Sequence, residues 1–454
     1  MGEFLLESLK INHHGKEIMN VRFIAQSNTS RDKIFTTLIL GVNGSGKSYL
    51  LTVIANIFIF LEKAKNYQRK PKFRYDQFLI EYEINGHKYE VNRLSGTEIN
   101  CYRDSSLIDL ETLELPCKVL AVSFLVNDKF LFTTPEMGKF FPSYIYLGVR
   151  KSSNATYTSS ILQNVMRNFF EVTLSENYTE LITLLSLMKF DKKIQFKVNN
   201  NNTSRSINSS ENILKDTIWN SNISIDFQND TDENRLYLNK NRKSILLGLE
   251  SDRLELSNII FYKNGEQIPF ENCSSGEKHL IFSLTGILNN IKPNSLVLID
   301  EPEISLHPEW QTKYIDLIKK IFHRYGSCHF LIASHSHYLV SDLEPHTSSI
   351  VYMNRAVDAA SPNAELLPYS TYAWSAENVI YNIFGVRTTR NYYFEADLRK
   401  IIDLMNSDDN TGSNVDEIKN LVNKLRKLIF DQSDPLNIVL DQAQEFCDVY
   451  KKNI

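Results

Sequence analysis

The chain lacks any stretch of about 20 apolar residues, the length a helix needs to cross a bilayer. Its longest apolar run of note, Leu51 to Leu61, is interrupted by Thr52 and Asn56 and reads as a buried helix, so no membrane partner is expected. The five cysteines, at 101, 117, 273, 328 and 447, form no C-x-x-C pair and stand too far apart to suggest a zinc site. The opening MGEFLLESLKI has no basic n-region, no apolar run of signal length and no small-residue cleavage site. Cytoplasmic residence is therefore expected, and structural disulfides are not. No excess of positive charge is present either. The net charge is −4, which excludes the broad basic field of a dedicated nucleic-acid binder and leaves only local DNA contact. Long heptad runs, which would mark a coiled-coil arm, are missing as well.

What is present is an ordinary globular composition, 42% hydrophobic and 23% charged over 454 residues, enough for two or three domains. Residues 4–12, 18–25 and 34–40 read as short strands, the last being continuously apolar and so of buried type. Alternating segments at 78–84 and 87–93, split by Asn85-Gly86, predict a hairpin with a type I′ turn. Lys118 to Phe124 is another buried strand. Between the apolar helix and that hairpin, Lys63, Lys65, Arg69, Lys70, Lys72 and Arg74 alternate with Tyr67 and Phe73, a mixture suited to phosphates and stacking. We read it first as a solvated connection, with local DNA contact as the alternative.

From about 150 to 260 no catalytic motif occurs, and Asn and Ser crowd 199–210. Core character returns with strands at 296–300, 329–334 and 349–353 and a helix from Pro308 to His323. Strand, helix, strand at this rhythm predicts a parallel sheet. The expected organisation is α/β. An ATPase head is formed by 1–150 and 261–360, with a mainly helical, partly flexible arm inserted at 151–260 and a small helical region at 361–454. That last region has helical spacing at Ile418, Leu421, Val422 and Leu425, flanked by Lys424, Arg426 and Lys427, and is the candidate for docking a partner.

Gly41-Val-Asn43-Gly44-Ser45-Gly46-Lys47-Ser48 fits G-x-x-x-x-G-K-S and sits after a buried strand and before a helix. Backbone N–H groups of such a loop close around phosphates at the positive end of the helix, Lys47 reaches the β and γ oxygens, and Ser48 ligates Mg²⁺. ATP and Mg²⁺ are the expected cofactors. Leu296-Val-Leu-Ile-Asp300-Glu301-Pro302 delivers Asp300 to the carboxyl end of a central strand, where α/β sheets bind ligands, to hold Mg²⁺. Glu301 is placed to orient or deprotonate the attacking water.

Cys273-Ser274-Ser275-Gly276-Glu277-Lys278 resembles the ABC signature in its SMC and RecF-like form, although Ser275 stands where the commonest form has Gly. His335, in Ile332-Ala-Ser-His-Ser, is similar to the switch histidine of the same class. The resemblance implies an ABC-type head in which Ser274, Ser275, Gly276 and Glu277 face the ATP of a second copy while His335 and Glu301 act in cis. A homodimer or higher even-numbered oligomer follows.

Asp300-Glu-Pro-Glu-Ile-Ser-Leu-His-Pro-Glu-Trp-Gln311 resembles the extended acidic motif of OLD-like and RecF-like bacterial ATPases, over roughly 1–150 and 260–355. Val119 to Phe130, Tyr144 to Arg150 and Asn378 to Leu398 are further similar to the PtuA-type ATPase subunits of Septu and related retron anti-phage systems. The AriA ATPase of PARIS systems is the nearest rival. The resemblance implies a separate nuclease effector, of HNH type if Septu. A RecF- or SMC-like repair ATPase is the alternative. A self-contained OLD nuclease would need a TOPRIM domain. Tyr392-Tyr-Phe-Glu395 looks like its opening strand, but the following Gly is missing and no D-x-D follows an apolar strand.

Overall fold

Phe4–His13 (β1) and Lys16–Arg22 (β2) alternate buried and open positions, the period-2 pattern that lets an antiparallel pair bury one face. In the computed structural model the protein is described at residues 3–25, 33–66, 73–94, 98–125, 127–132, 141–149, 157–200, 222–229, 233–250, 254–340, 342–354, 362–384, 390–406, 412–429, 434 and 436–452. Phe35–Leu40 (β3) is buried at every residue and runs into Lys47–Asn66 (α1). Gln77–Ile84 (β4), His87–Arg93 (β5), Ile99–Arg103 (β6) and Ser106–Ile108 (β7) complete a six-stranded antiparallel sheet in the order β2-β1-β4-β5-β6-β7. The turn at Asn85-Gly86 has both residues at positive φ, 56° and 81°, as the type I′ reading requires.

Val119–Ser123 (β8) and Tyr144–Gly148 (β9) begin the far half of the head sheet. The region expected to be a mainly helical arm is mixed instead. Tyr157–Thr173 (α2), Tyr178–Leu187 (α3) and Glu233–Glu250 (α4) accompany Lys193–Asn200 (β10), Asn222–Asp226 (β11) and Leu254–Lys263 (β12). With Glu266–Pro269 (β13) these strands form a four-stranded sheet, β11-β10-β12-β13. Buried Ile194, Phe196, Val198, Ile259 and Phe261 give that sheet a face to pack. The expected boundary at 260 therefore falls inside β12. Residues 201–210 of the Asn-rich tract, and 67–72 of the basic segment, lie outside the described residues.

Ser275–Asn290 (α5) packs against α2 and against β8 and β9, with Phe124 stacked on His279 at 4.3 Å. Leu296–Asp300 (β14) follows, buried throughout. The helix expected over 308–323 is broken at Lys313 into Pro308–Thr312 (α6) and Tyr314–Ile321 (α7). His329–Ser334 (β15), Ser348–Asn354 (β16) and Asn363–Leu366 (β17) complete a seven-stranded sheet, β17-β16-β3-β15-β14-β8-β9. Its pairings are parallel except for the edge strand β17. Since β17 is paired to β16, residues just past 361 belong to the head and not to the C-terminal region.

The helix α1 is buried on nearly all sides, its residues sharing one core with the head sheet and the antiparallel sheet. Phe58 meets Phe4 and Tyr82 of the antiparallel sheet at 5.9 and 5.8 Å. Each such fully buried aromatic contributes about 1.5–3 kcal/mol. The sheets thus clamp the helix whose first turn carries Lys47 and Ser48.

Ala376–Asn382 (α8) spans the point where the chain divides into two compact units, Met1–Val379 and Ile380–Ile454. The second unit contains Tyr392–Met405 (α9), Gly412–Arg426 (α10) and Leu436–Lys452 (α11). Its core includes Ile401, Ile418, Val422, Leu425 and Ala443. Tyr392 to Glu395 is the first turn of α9, with Asn391 accepting from the Phe394 N–H, so the TOPRIM-like strand is not formed. Among the described residues no helix is long and apolar enough to cross a membrane.

Candidate functional site

The loop from Gly41 to Gly46 leaves β3 at its carboxyl end, between β15 and β16. Gly41 is obligatory by close approach, because a Cβ there would lie 2.2 Å from the Met353 carbonyl oxygen. Gly46 has φ of 102°, a region closed to ordinary L-residues. Asn43 and Gly44 are exposed at the loop tip, whereas Ser45 is buried. The Ser45 hydroxyl is buried and has no hydrogen-bond partner. A buried polar atom without a partner costs stability unless a ligand or water satisfies it.

Lys47 is 4% exposed and donates to the carbonyls of Gly41 at 2.8 Å and Val42 at 3.3 Å. Ser48 Oγ donates to Asp300 Oδ1 at 2.9 Å, tying the start of α1 to the end of β14. Burial pushes the Asp300 carboxyl up to about 6, against the Ser48 hydrogen bond and the charge of Lys47. Hard oxygen donors of this kind fit Mg²⁺.

Glu301 leaves β14 with φ of 50°, and its N–H donates to the Ala333 carbonyl at 2.9 Å. A left-handed glutamate costs on the order of 1–3 kcal/mol and persists where surrounding structure fixes it. Here the turn directs its carboxylate to Lys47 Nζ, 3.6 Å away, and to the His335 ring. Burial, with the neighbouring Glu303 charge, raises Glu301 to about 7.

Glu303 was not singled out by the sequence, yet it organises this corner. Its Oε1 accepts from Ser334 Oγ at 2.5 Å, His335 N at 2.8 Å and Ser336 N at 3.1 Å, and lies 3.0 Å from His335 Nδ1. Burial opposes its ionisation, but the hydrogen bonds from His335, Glu301 and Ser334 prevail and hold it at about 2. The same Glu303 bond, helped by Glu301, raises His335 to about 9. Ser336 Oγ donates to Gln311 Oε1 at 2.6 Å, and Gln311 Nε2 donates to the Leu306 carbonyl at 2.9 Å. The available signal was the repeat of acids in Asp300-Glu301-Pro302-Glu303. Donor atoms of Glu301, Glu303 and His335 lie within 4.8 Å of one another, so this trio is a second place where a cation could be held.

The signature segment is built differently. Ser274 is the N-cap of α5, and its Oγ accepts from the Glu277 N–H at 3.2 Å. The Glu277 carboxylate accepts in return from Ser274 N at 2.8 Å and Ser274 Oγ at 2.9 Å. This is a complete capping box. Glu277, expected to face nucleotide, serves within this chain as the capping residue, its carboxylate bound to Ser274. Ser275 opens α5, and a Cβ on Gly276 would come within 3.0 Å of the Ser305 carbonyl. Among the described residues no hydrogen bond or ion pair joins Ser274 to Glu277 with the P-loop. The fold thus links Lys47, Ser48, Asp300, Glu301 and His335 in one place, while the signature helix packs against the residues that follow, His279 meeting the Ile304 carbonyl at 2.7 Å.

A family model described as an AAA domain, putative AbiEii toxin, type IV toxin–antitoxin system, matches residues 181–341. The Septu protein PtuA of Bacillus thuringiensis is 28% identical over 162 residues, 33% of this chain and 39% of that protein. The retron Vc95 probable ATPase of Vibrio cholerae serotype O1 biovar El Tor is 22% identical over 364 residues, 66% of each chain. The alignments thus span about two-fifths and just under two-thirds of those relatives' lengths. Among solved structures, an SMC head domain from Thermotoga maritima shares 13% identity, covering 80% of this chain and 99% of that one at a TM-score of 0.37. The recombination mediator RecF shares 15%, covering 78% and 96% at 0.30. These overlays are loose, and the fold assignment rests on strand order and motif placement.

Proposed function

From the premise that the chain is a P-loop ATPase distantly similar to Septu PtuA and to a retron ATPase, we propose that it is the ATP-driven subunit of an anti-phage complex. In this reading two chains pair around ATP and control a separate nuclease effector. The observation that carries the nucleotide half is the Ser48–Asp300 bond at 2.9 Å beside the buried Lys47. It closes loop and acidic strand into one phosphate and metal cradle. Ser48 and Asp300 would hold Mg²⁺, which when bound neutralises phosphate charge. Lys47 exchanges its carbonyl partners for phosphate oxygens. Glu301, raised to about 7, is matched to taking a proton from water near neutral pH, and His335 supplies a positive charge beside it.

Pairing is argued from chemistry. Ser274 caps a helix whose N-terminus suits a γ-phosphate, yet no bond links it to the P-loop of its own chain. In the paired state, phosphate on a second copy would take the place of the Glu277 carboxylate at Ser274. The experiment uses Glu301→Gln, expected to slow hydrolysis by about 10²–10⁴-fold and so keep ATP bound. With ATP this variant should double in mass by light scattering. Adding Ser274→Arg should return it to single mass while ATP stays bound, and Lys47→Ala should bind no ATP. Paired chains in the Glu301→Gln, Ser274→Arg protein would overturn the trans role of Ser274.

A further inference from the structure

We infer that a second site, separate from the P-loop, takes a nucleoside phosphate. A cavity of about 520 Å³ opens along one face of α1, between that helix, residues 73–75 and residues 129–131. Its α1 wall starts at Tyr49, one residue past Ser48, and continues through Asn56 to Lys63. Positions 49, 56 and 63 are spaced by sevens, so they lie on one helical face. Lys47 and Ser48 do not line it. The volume falls in the range of about 300–1,000 Å³ typical of small-ligand sites.

The lining chemistry selects the ligand class. Lys63, Arg74 and Lys129 are among the lining residues, and among the described residues none of them has a carboxylate partner. Three like charges around one opening repel one another, and an anion offsets that cost. The Lys63 ammonium lies 4.5 Å from the Phe141 ring centroid and the Arg74 guanidinium 5.7 Å from that of Tyr75. Aromatic surface accompanies the charge. Tyr49 and Phe73 are half-buried in the wall; Phe73 packs against Phe60, Phe78 and Tyr75 at 5.1, 5.3 and 5.6 Å and Tyr49 meets Tyr75 edge-on, so a base would stack on the ring surface that these contacts leave open. Asn56, also half-buried, offers an amide that can both donate and accept. Among the lining residues, three cations, two rings and one amide match the chemistry of a phosphate, a base face and a base edge in turn.

The ligand could be a free nucleotide or one nucleotide of a single strand, and the test separates them. In the Lys47→Ala background, which removes the P-loop as a competitor, dTMP and an oligo(dT) of about eight nucleotides, within the ~4–16 nucleotide footprint of single-strand sites, are titrated by fluorescence anisotropy or competition. Saturable binding is expected, weakened about tenfold by Lys63→Ala and again by Lys129→Ala. The log–log salt slope should fall by about 0.7 for each cation removed. Equal sensitivity for dTMP identifies a free nucleotide; binding of the oligonucleotide alone identifies a strand. No binding by either probe, or binding indifferent to both lysine substitutions, overturns the site. Intact ATP binding by the Lys63→Ala and Lys129→Ala chains with Lys47 restored keeps this result apart from any failure at the P-loop.

Discussion

His329 is buried at the first position of β15, and its ring is fixed by both nitrogens. Nδ1 accepts from the Leu6 N–H at 3.0 Å, which leaves Nε2 to donate to Thr37 Oγ1 at 2.8 Å. The tautomer is therefore set by its partners and the ring is neutral. Burial lowers its pKa to about 3, and burial lowers His279 to about 4. Both folded-state values lie below the ordinary 6.5, so the unfolded chain binds protons that the folded chain refuses. Stability is thus present in full above pH 6.5 and is lost as pH falls from there toward 4 and then 3, by up to about 1.4 kcal/mol per pH unit for each ring. Urea unfolding should show a lower midpoint at pH 5.5 than at 7.5, and His329→Gln should flatten that difference; an unchanged pH dependence in the variant would mean the ring is charged in the fold. Residues of the P-loop and Asp300 were legible in the sequence because phosphate chemistry demands those types at those places. The role of His329 was not, since its partners Leu6 and Thr37 stand some 300 residues away.

Between single groups and the whole chain, the unit that matters is the loop 334–336 held by Glu303. Three donors converge on one buried oxygen, so the position of His335 is set from a neighbouring element. Glu303→Gln keeps the shape but removes the charge. ATP affinity should change little, while turnover should fall by about 10–100-fold, the usual cost of losing an outer partner of a catalytic group. The raised pKa of His335 should also drop from about 9 toward its ordinary value, measurable by NMR titration. A histidine that still titrates near 9 would show that Glu301 alone sustains it. At this scale buried strands and the Asn85-Gly86 hairpin were readable from pattern. The turns at His14-Gly15 and Asp104-Ser105 were not, although they also place both residues at positive φ, because His and Ser are weak signals for that geometry. Nor was the break at Lys313. Gln311, pinned to Leu306 and Ser336, stands just before it, and the Ser336 bond reaches across 25 residues.

At the scale of the molecule, division after Val379 sets where the C-terminal region can be removed to test docking. Cutting near 412 would part α9 from α10 and α11, which share one core, whereas ending the chain at 379 removes a whole unit. The truncated chain should bind ATP as before and lose a co-expressed nuclease partner in a pull-down; retention of the partner would move docking to the head. Part of the charge once read as flanking a docking face is used internally, with Lys424 bound to Asp397 at 2.6 Å and Arg426 to Asp441 at 2.5 Å. The parallel head was legible because its strands are continuous apolar runs. The small sheet at 193–269 was not, as its strands mix Asn, Lys and Gln with apolar residues and pair across long separations. One local feature reaches furthest at this scale. The carboxylate of Glu277 already occupies the amide and hydroxyl of Ser274, so the end of α5 carries a tethered rival for any visiting phosphate. A rival on so short a leash acts at an effective concentration in the millimolar range or above. In the proposed pairing, a phosphate brought by a second copy would have to displace that carboxylate before it could meet Ser274.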